Sequence, residues 1–141
     1  MDMKKFLTGT LVGGIAFFFL GYLIYGLALM DFMTAHSGSA TGVMKSMEEM
    51  TWWALILGNL GYGALLAYIF TKWADIKSFG SGASAGAAIG FLMAFSFDMS
   101  MFGTSNIMDL TGACTDIVAA TVMNAVAGGA VGAVLGMGNK A

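Results

Sequence analysis

Residues 112–136 read GACTDIVAATVMNAVAGGAVGAVLG, and this stretch decides the fold. Every fourth position is small or polar: Gly112, Asp116, Ala120, Asn124, Gly128, Gly132 and Gly136. Between them Ile117, Val118, Val122, Val126, Val131 and Val134 suit contact with lipid. Lipid supplies no hydrophobic drive to join helices, so association depends on close backbone approach and interhelical hydrogen bonds. A helix with a small face and a branched apolar face meets that requirement, and Asp116 carries a carboxyl into the membrane with it.

Three more stretches have the same character. Spans near 7–30, 51–71, 82–102 and 109–136 are each long enough to cross a bilayer core. The chain is 58% hydrophobic and 10% charged, with a mean hydropathy of +0.82. These values exclude an ordinary soluble domain. The expectation is an all-α, polytopic membrane protein: residues 1–141 as one antiparallel four-helix transmembrane bundle with a loop at 31–50. Lys4 and Lys5 before an apolar run also resemble the opening of a secretory signal. The run from Phe6 to Met30 is too long for one, so the first span reads as a retained helix.

Lysines set the orientation. Lys4, Lys5, Lys72, Lys77 and Lys140 fall on one side of a four-crossing chain and only Lys45 on the other, which places both termini in the cytoplasm. Loops 31–50 and 103–108 then face outward. Cations are few and scattered, which argues against nucleic acid as a partner. The expected partners are the lipid bilayer and either a second copy or other membrane subunits. The single Cys114 excludes an internal disulfide and a multi-cysteine metal site.

The third span repeats the pattern of the fourth: Gly82, Gly86, Gly90 and Ala94 lead to Asp98. Gly86, Gly90, Gly112, Gly128 and Gly132 are the candidate packing positions, and the short 103–108 turn makes these two spans antiparallel neighbours. In the first span Gly9, Gly13, Phe17, Gly21 and Tyr25 share a row, and in the second Asn59, Gly63, Ala67 and Thr71 do. Within loop 31–50, residues 34–39 read as a turn. The segment after Ser39 or Thr41 reads as a short helix, with Lys45 spaced to pair with Glu48 and Glu49.

Asp98, Asp116 and Asn59 fall in the same half of the membrane, about 6, 10 and 12 Å in from the adjacent span ends at 1.5 Å per residue. Ser100 and Thr115 lie at similar depth. No lysine sits in that half of any span, so each aspartate must be protonated, hydrated or bound to a cation. Two readings follow: a polar pocket for a proton or cation, or neutral carboxyls that hydrogen-bond Asn59 and the hydroxyls to fix helix register. Asn124 reads as a deeper interhelical clasp. Thirteen methionines, several on the outer side, raise soft-metal binding, with Met99, Met101 and His36 as candidate ligands. Adaptable packing also accounts for them. Neither a catalytic triad nor a phosphate-binding motif is present, so no enzyme activity and no cofactor are expected.

The stretch GYLIYGLALMDFM at 21–33, the Met/Glu-rich segment leading to Trp52 and Trp53, and the two glycine-rich later spans resemble a widespread group of small four-helix bacterial membrane proteins. That resemblance implies the same topology and a bacterial inner membrane. The group carries no established catalytic or binding residues to transfer. Function is thus left to three candidates: a structural or accessory subunit, a small transporter or channel using the aspartates, and a soft-metal binder.

Overall fold

In the computed structural model, which describes residues 1–137, all four spans are helical and there is no β-strand among the described residues. Lys140, used above for orientation, lies outside them. Helix α1 (Met3–Gly21) continues through a π-helical segment (Tyr22–Ala28) and, after a break at Leu29, ends in the short α2 (Met30–Ala35). Helices α3 (Trp52–Lys72), α4 (Phe79–Thr104) and α5 (Leu110–Gly136) complete the bundle. The four spans are long and apolar enough to cross a membrane, which fits an integral membrane protein.

Capping chemistry sets several boundaries. The Asp2 carboxylate accepts from the Lys4 and Lys5 amides and starts α1 at Met3. Ser78, extended at φ −143° and ψ 159°, accepts from the Ser81 amide. Helix α4 therefore begins at Phe79, three residues before the expected start of the span, and takes in Gly80 and Ser81. The loop differs more. Residues 30–35, partly assigned to a turn, are helical, whereas 39–50 contain only a turn at 47–49. Gly42 sits at φ 68°, a left-handed conformation that ends any helix there. Glu49 bonds back to the Ser46 amide and hydroxyl, and Lys45 bonds Thr51 instead of the glutamates.

Helices α1 and α5 form the centre, with α3 packed on α1 and α4 packed on α5. The α4–α5 contact is the most extensive, and there the two backbones lie close together. A Cβ on Gly82 or Gly86 would run into the carbonyl of Gly128 or Asn124, respectively. One on Gly132 would meet Ser78 and the Gly82 Cα. At the α1–α3 crossing, a Cβ on Gly13 would stand 2.8 Å from the Gly63 Cα. Such approach is possible only without side chains, and it compensates for the roughly 1 kcal/mol that a glycine costs inside a helix.

Not every glycine is used in this way. Gly21, Gly58 and Gly61 have nothing within 4 Å of a built Cβ. Gly58→Ala and Gly61→Ala are thus expected to hold or raise stability by up to about 1 kcal/mol, through helix propensity alone. Reversible unfolding in mixed micelles measures this; a large loss in either variant would mean that the open face is covered.

The apolar core comprises Phe17, Leu66, Ala67, Phe70, Ala127, Val131 and Leu135. It lies in the half of the bundle that holds the N-terminus and the 73–78 turn. Val118, Val122 and Val126 do face outward, but Ile117 and Val131 are buried, contrary to their assignment to lipid. A four-residue step advances 400°, so the branched face drifts around the helix, and Val131 turns onto Gly9 and Gly13 of α1. At the opposite end α3 leaves the bundle: every residue from 51 to 58 is exposed, whereas Gly63, Leu66, Ala67 and Phe70 are buried. The molecule is closed at one end and splayed at the other.

Candidate functional site

The paired small rows of α4 and α5 run antiparallel toward the splayed end, where each row arrives at an aspartate. Gly82 and Gly86 meet the Gly128–Asn124 turn, Gly90 meets the Asn124 side chain, and Asp98 meets Asp116. Each carboxyl lies six residues inside its helix end, at Thr104 and Leu110, or about 9 Å in at 1.5 Å per residue. Asp98 is 2% exposed, and its Oδ2 has no hydrogen-bond partner.

The third member is Tyr25, whose side chain adjoins Asp116 and faces Asp98. It stands in the π-helical segment, where the Leu29 amide donates to the Ile24 carbonyl five residues back. The wider turn inserts a residue into the helix and rotates everything beyond it, a distortion frequent at functional sites. Tyr62 of α3 faces Asn124 and packs on Phe17 with ring centroids 4.5 Å apart. No lysine or histidine forms an ion pair with either aspartate among the described residues.

The other three residues assigned to the polar cluster lie elsewhere. Asn59 sits where α3 splays away, and its Nδ2 donates to its own helix at the Leu55 carbonyl, 2.8 Å away. Ser100 is exposed and shares an outer depression of α4 with Ser96 and Phe97. Thr115 lines a similar depression on α5 beside Thr111 and Cys114. Asn124 is buried, but its Nδ2 donates to the Ala120 carbonyl of its own helix, leaving Oδ1 without a partner. Across helices it meets Tyr62 of α3 and Gly90 of α4, where a built Cβ would run into the Asn124 side chain. Tyr62 hydrogen-bonds the Met93 sulfur at 3.5 Å, joining α3 to α4 at that level.

His36, a metal-ligand candidate, is engaged otherwise. Its Nδ1 lies 2.8 Å from Asp109 Oδ2, and Asp109 caps α5 by accepting from the Gly112 amide at 2.8 Å. Around this pair the two loops form a short antiparallel clasp. The Asp109 amide donates to His36, Gly38 to Ile107 and Ala40 to Asn106. Gly38 packs directly on the Asn106 carbonyl. Gly112 lies under the His36 carbonyl, so its small size serves this clasp and not a helix crossing. Met99 and Met101 are half-buried, and no metal-type cluster of three His, Cys, Asp or Glu side chains occurs among the described residues.

The Gly112 amide, followed by His36, holds the Asp109 carboxyl below its ordinary range. A depressed folded value means that the contribution of Asp109 is complete above about pH 4, the unfolded carboxylate value, and is lost as pH falls through the folded one. Protection of the Gly112 amide against hydrogen exchange is therefore expected to fall only in strong acid. Asp109→Ala should remove it at neutral pH while the core amides of α5 stay protected.

No protein-family model, curated protein or solved structure matches this chain. Two carboxyls and a phenol meet here with no cationic partner among the described residues, an arrangement that is costly at membrane depth unless a proton, water or a cation joins it.

Proposed function

We propose that the chain is a small proton-binding membrane protein, with Asp98 and Asp116 holding a proton between them and Tyr25 completing the site. The buried Asp98 Oδ2 without a partner carries this reading, since an acceptor left unpaired in a dry interior calls for a proton or a cation. A proton fits better than a metal ion because only two carboxyls converge and no third metal-binding group joins them. The protein acts by binding and not by catalysis: His36 is tied to Asp109, and Cys114 faces outward on α5. The loop end faces the outside and the termini face the cytoplasm of a bacterial inner membrane, as the lysine distribution favours.

Proton uptake tests this proposal. Scanned from alkaline to acid pH in lightly buffered detergent, the wild type should take up about one proton per chain more than Asp98→Asn does. Equal uptake by the two would overturn it.

A second reading rests on a different observation. Gly58 and Gly61 lie open on the splayed α3, while the rows of α4 and α5 meet each other within the chain. If the protein is an accessory subunit, this α3 face, and not the α4–α5 rows, holds the second copy or the larger membrane complex. Native mass spectrometry of the wild type and Gly58→Leu compares them; a higher-order species lost in the variant supports association, and a monomer in both removes it.

A further inference from the structure

We infer that the carboxyl pair exchanges protons with one side of the membrane only, the side of the loop end, so that the protein responds to pH there without conducting protons across. This inference rests on the proton-binding reading above. It comes from the unequal construction of the two ends of the bundle.

Toward the loops the pair is less deeply covered, since Asp116 is half-buried while Asp98 is buried. About 9 Å of helix separates each aspartate from its helix end. Above them lies the clasp held by the His36–Asp109 pair and three backbone hydrogen bonds. On this side α3 has left the bundle, so no packed helix covers residues 51–58 or what they would otherwise shield. The groups facing the pair are Tyr25 from the π-helical segment and, further off, Tyr62 from α3. Neither brings a counter-charge.

In the other direction a polar path begins and stops. Beyond Tyr25 come Tyr62 and Asn124, and Asn124 Oδ1 is the second buried acceptor without a partner. From Asn124 to the end of α5 at Gly136 is about 18 Å of helix. The interior over that length is Ala127, Val131 and Leu135 against Phe17, Leu66 and Phe70, each 2% exposed or less. Asp98 and Asn124 are the only buried polar side chains among the described residues. Thr10 and Thr71 are half-buried and bond carbonyls of their own helices. The α4–α5 seam is closed there by backbone contact between Gly82 and Gly128 and between Gly136 and Lys77. A proton has no acceptor to move to, and water has no polar partners to hold it.

The full chain in liposomes decides this. Orientation is fixed by an impermeant amine reagent, because Lys45 is the sole lysine at the loop end among the described residues. The protonated-carboxyl infrared band that Asp98→Asn removes is followed while pH is changed on each side in turn. It should titrate completely with pH on the Lys45 side and be indifferent to the other, and a dye in the lumen should report no wild-type-specific proton entry under either gradient. A band that follows the other side, or a flux present in wild type and absent in Asp98→Asn, would overturn one-sided exchange while leaving proton binding intact. No pH-dependent band even in detergent would instead remove the proton-binding reading, and this inference with it.

Discussion

Gly86→Leu is expected to prevent the α4–α5 pair from forming, leaving protein that inserts but does not reach the folded state. The Cβ alone would overlap the Asn124 carbonyl and lie 3.1 Å from the Gly128 Cα, and both obstacles are backbone. No side-chain rotation relieves such a contact, so the helices must separate along the whole seam. Overpacking costs about 1–3 kcal/mol where side chains can give way, and this site should exceed that range. Loss of that size is a large share of a typical total stability of about 5–15 kcal/mol. Gly128→Leu, which meets Gly82 from the facing helix, should behave alike, whereas Gly58→Leu should leave the monomer folded. Unfolding curves in mixed micelles measure all three. Equal stability of Gly86→Leu and Gly58→Leu would contradict the close-approach account.

Asp98→Asn should have the opposite profile: intact fold, lost proton binding. The amide is nearly the shape of the carboxyl, remains neutral and can donate to Asp116, satisfying an atom pair that in the wild type needs a shared proton. Stability is expected to be unchanged or higher at alkaline pH, where the wild type must either hold its proton or bury two adjoining negative charges. Tyr25→Phe is a milder test. It removes the hydroxyl beside Asp116 but neither carboxyl, so proton uptake should persist with a shifted midpoint.

Much of the architecture was legible because membrane physics leaves few choices. Length and hydropathy located all four spans, and the repeated small rows with a short turn between them marked α4 and α5 as neighbours. The row periodicity also indicated that Asp98 and Asp116 occupy the same face as Gly90 and Gly112. What periodicity could not give was the course of each helix after its tightest contact. Asn59 shares a row with the buried Gly63, but α3 crosses α1 at Gly63 and diverges, which carries Asn59 out of the site. Ser100 and Thr115 lie close in sequence to Asp98 and Asp116 but on other helix faces, so similar depth did not mean contact. Tyr25 was visible only as the end of a glycine row. Its approach to Asp116 depends on a π-helical register that arises from packing and has no local sequence signature. The clasp between 36–40 and 106–109 is likewise a long-range pairing between two loops, with no local sequence signature.

The central claim is that Asp98 and Asp116 share a proton inside the bundle. Isotope-edited infrared spectroscopy of the wild type, Asp98→Asn and Asp116→Asn in nanodiscs tests it most directly. The account predicts a protonated-carboxyl band in the wild type that disappears on alkalinisation, is lost in Asp98→Asn, and titrates at a different pH in Asp116→Asn because the partner's charge is gone. A wild-type spectrum without such a band, or one unaltered by both substitutions, would contradict it.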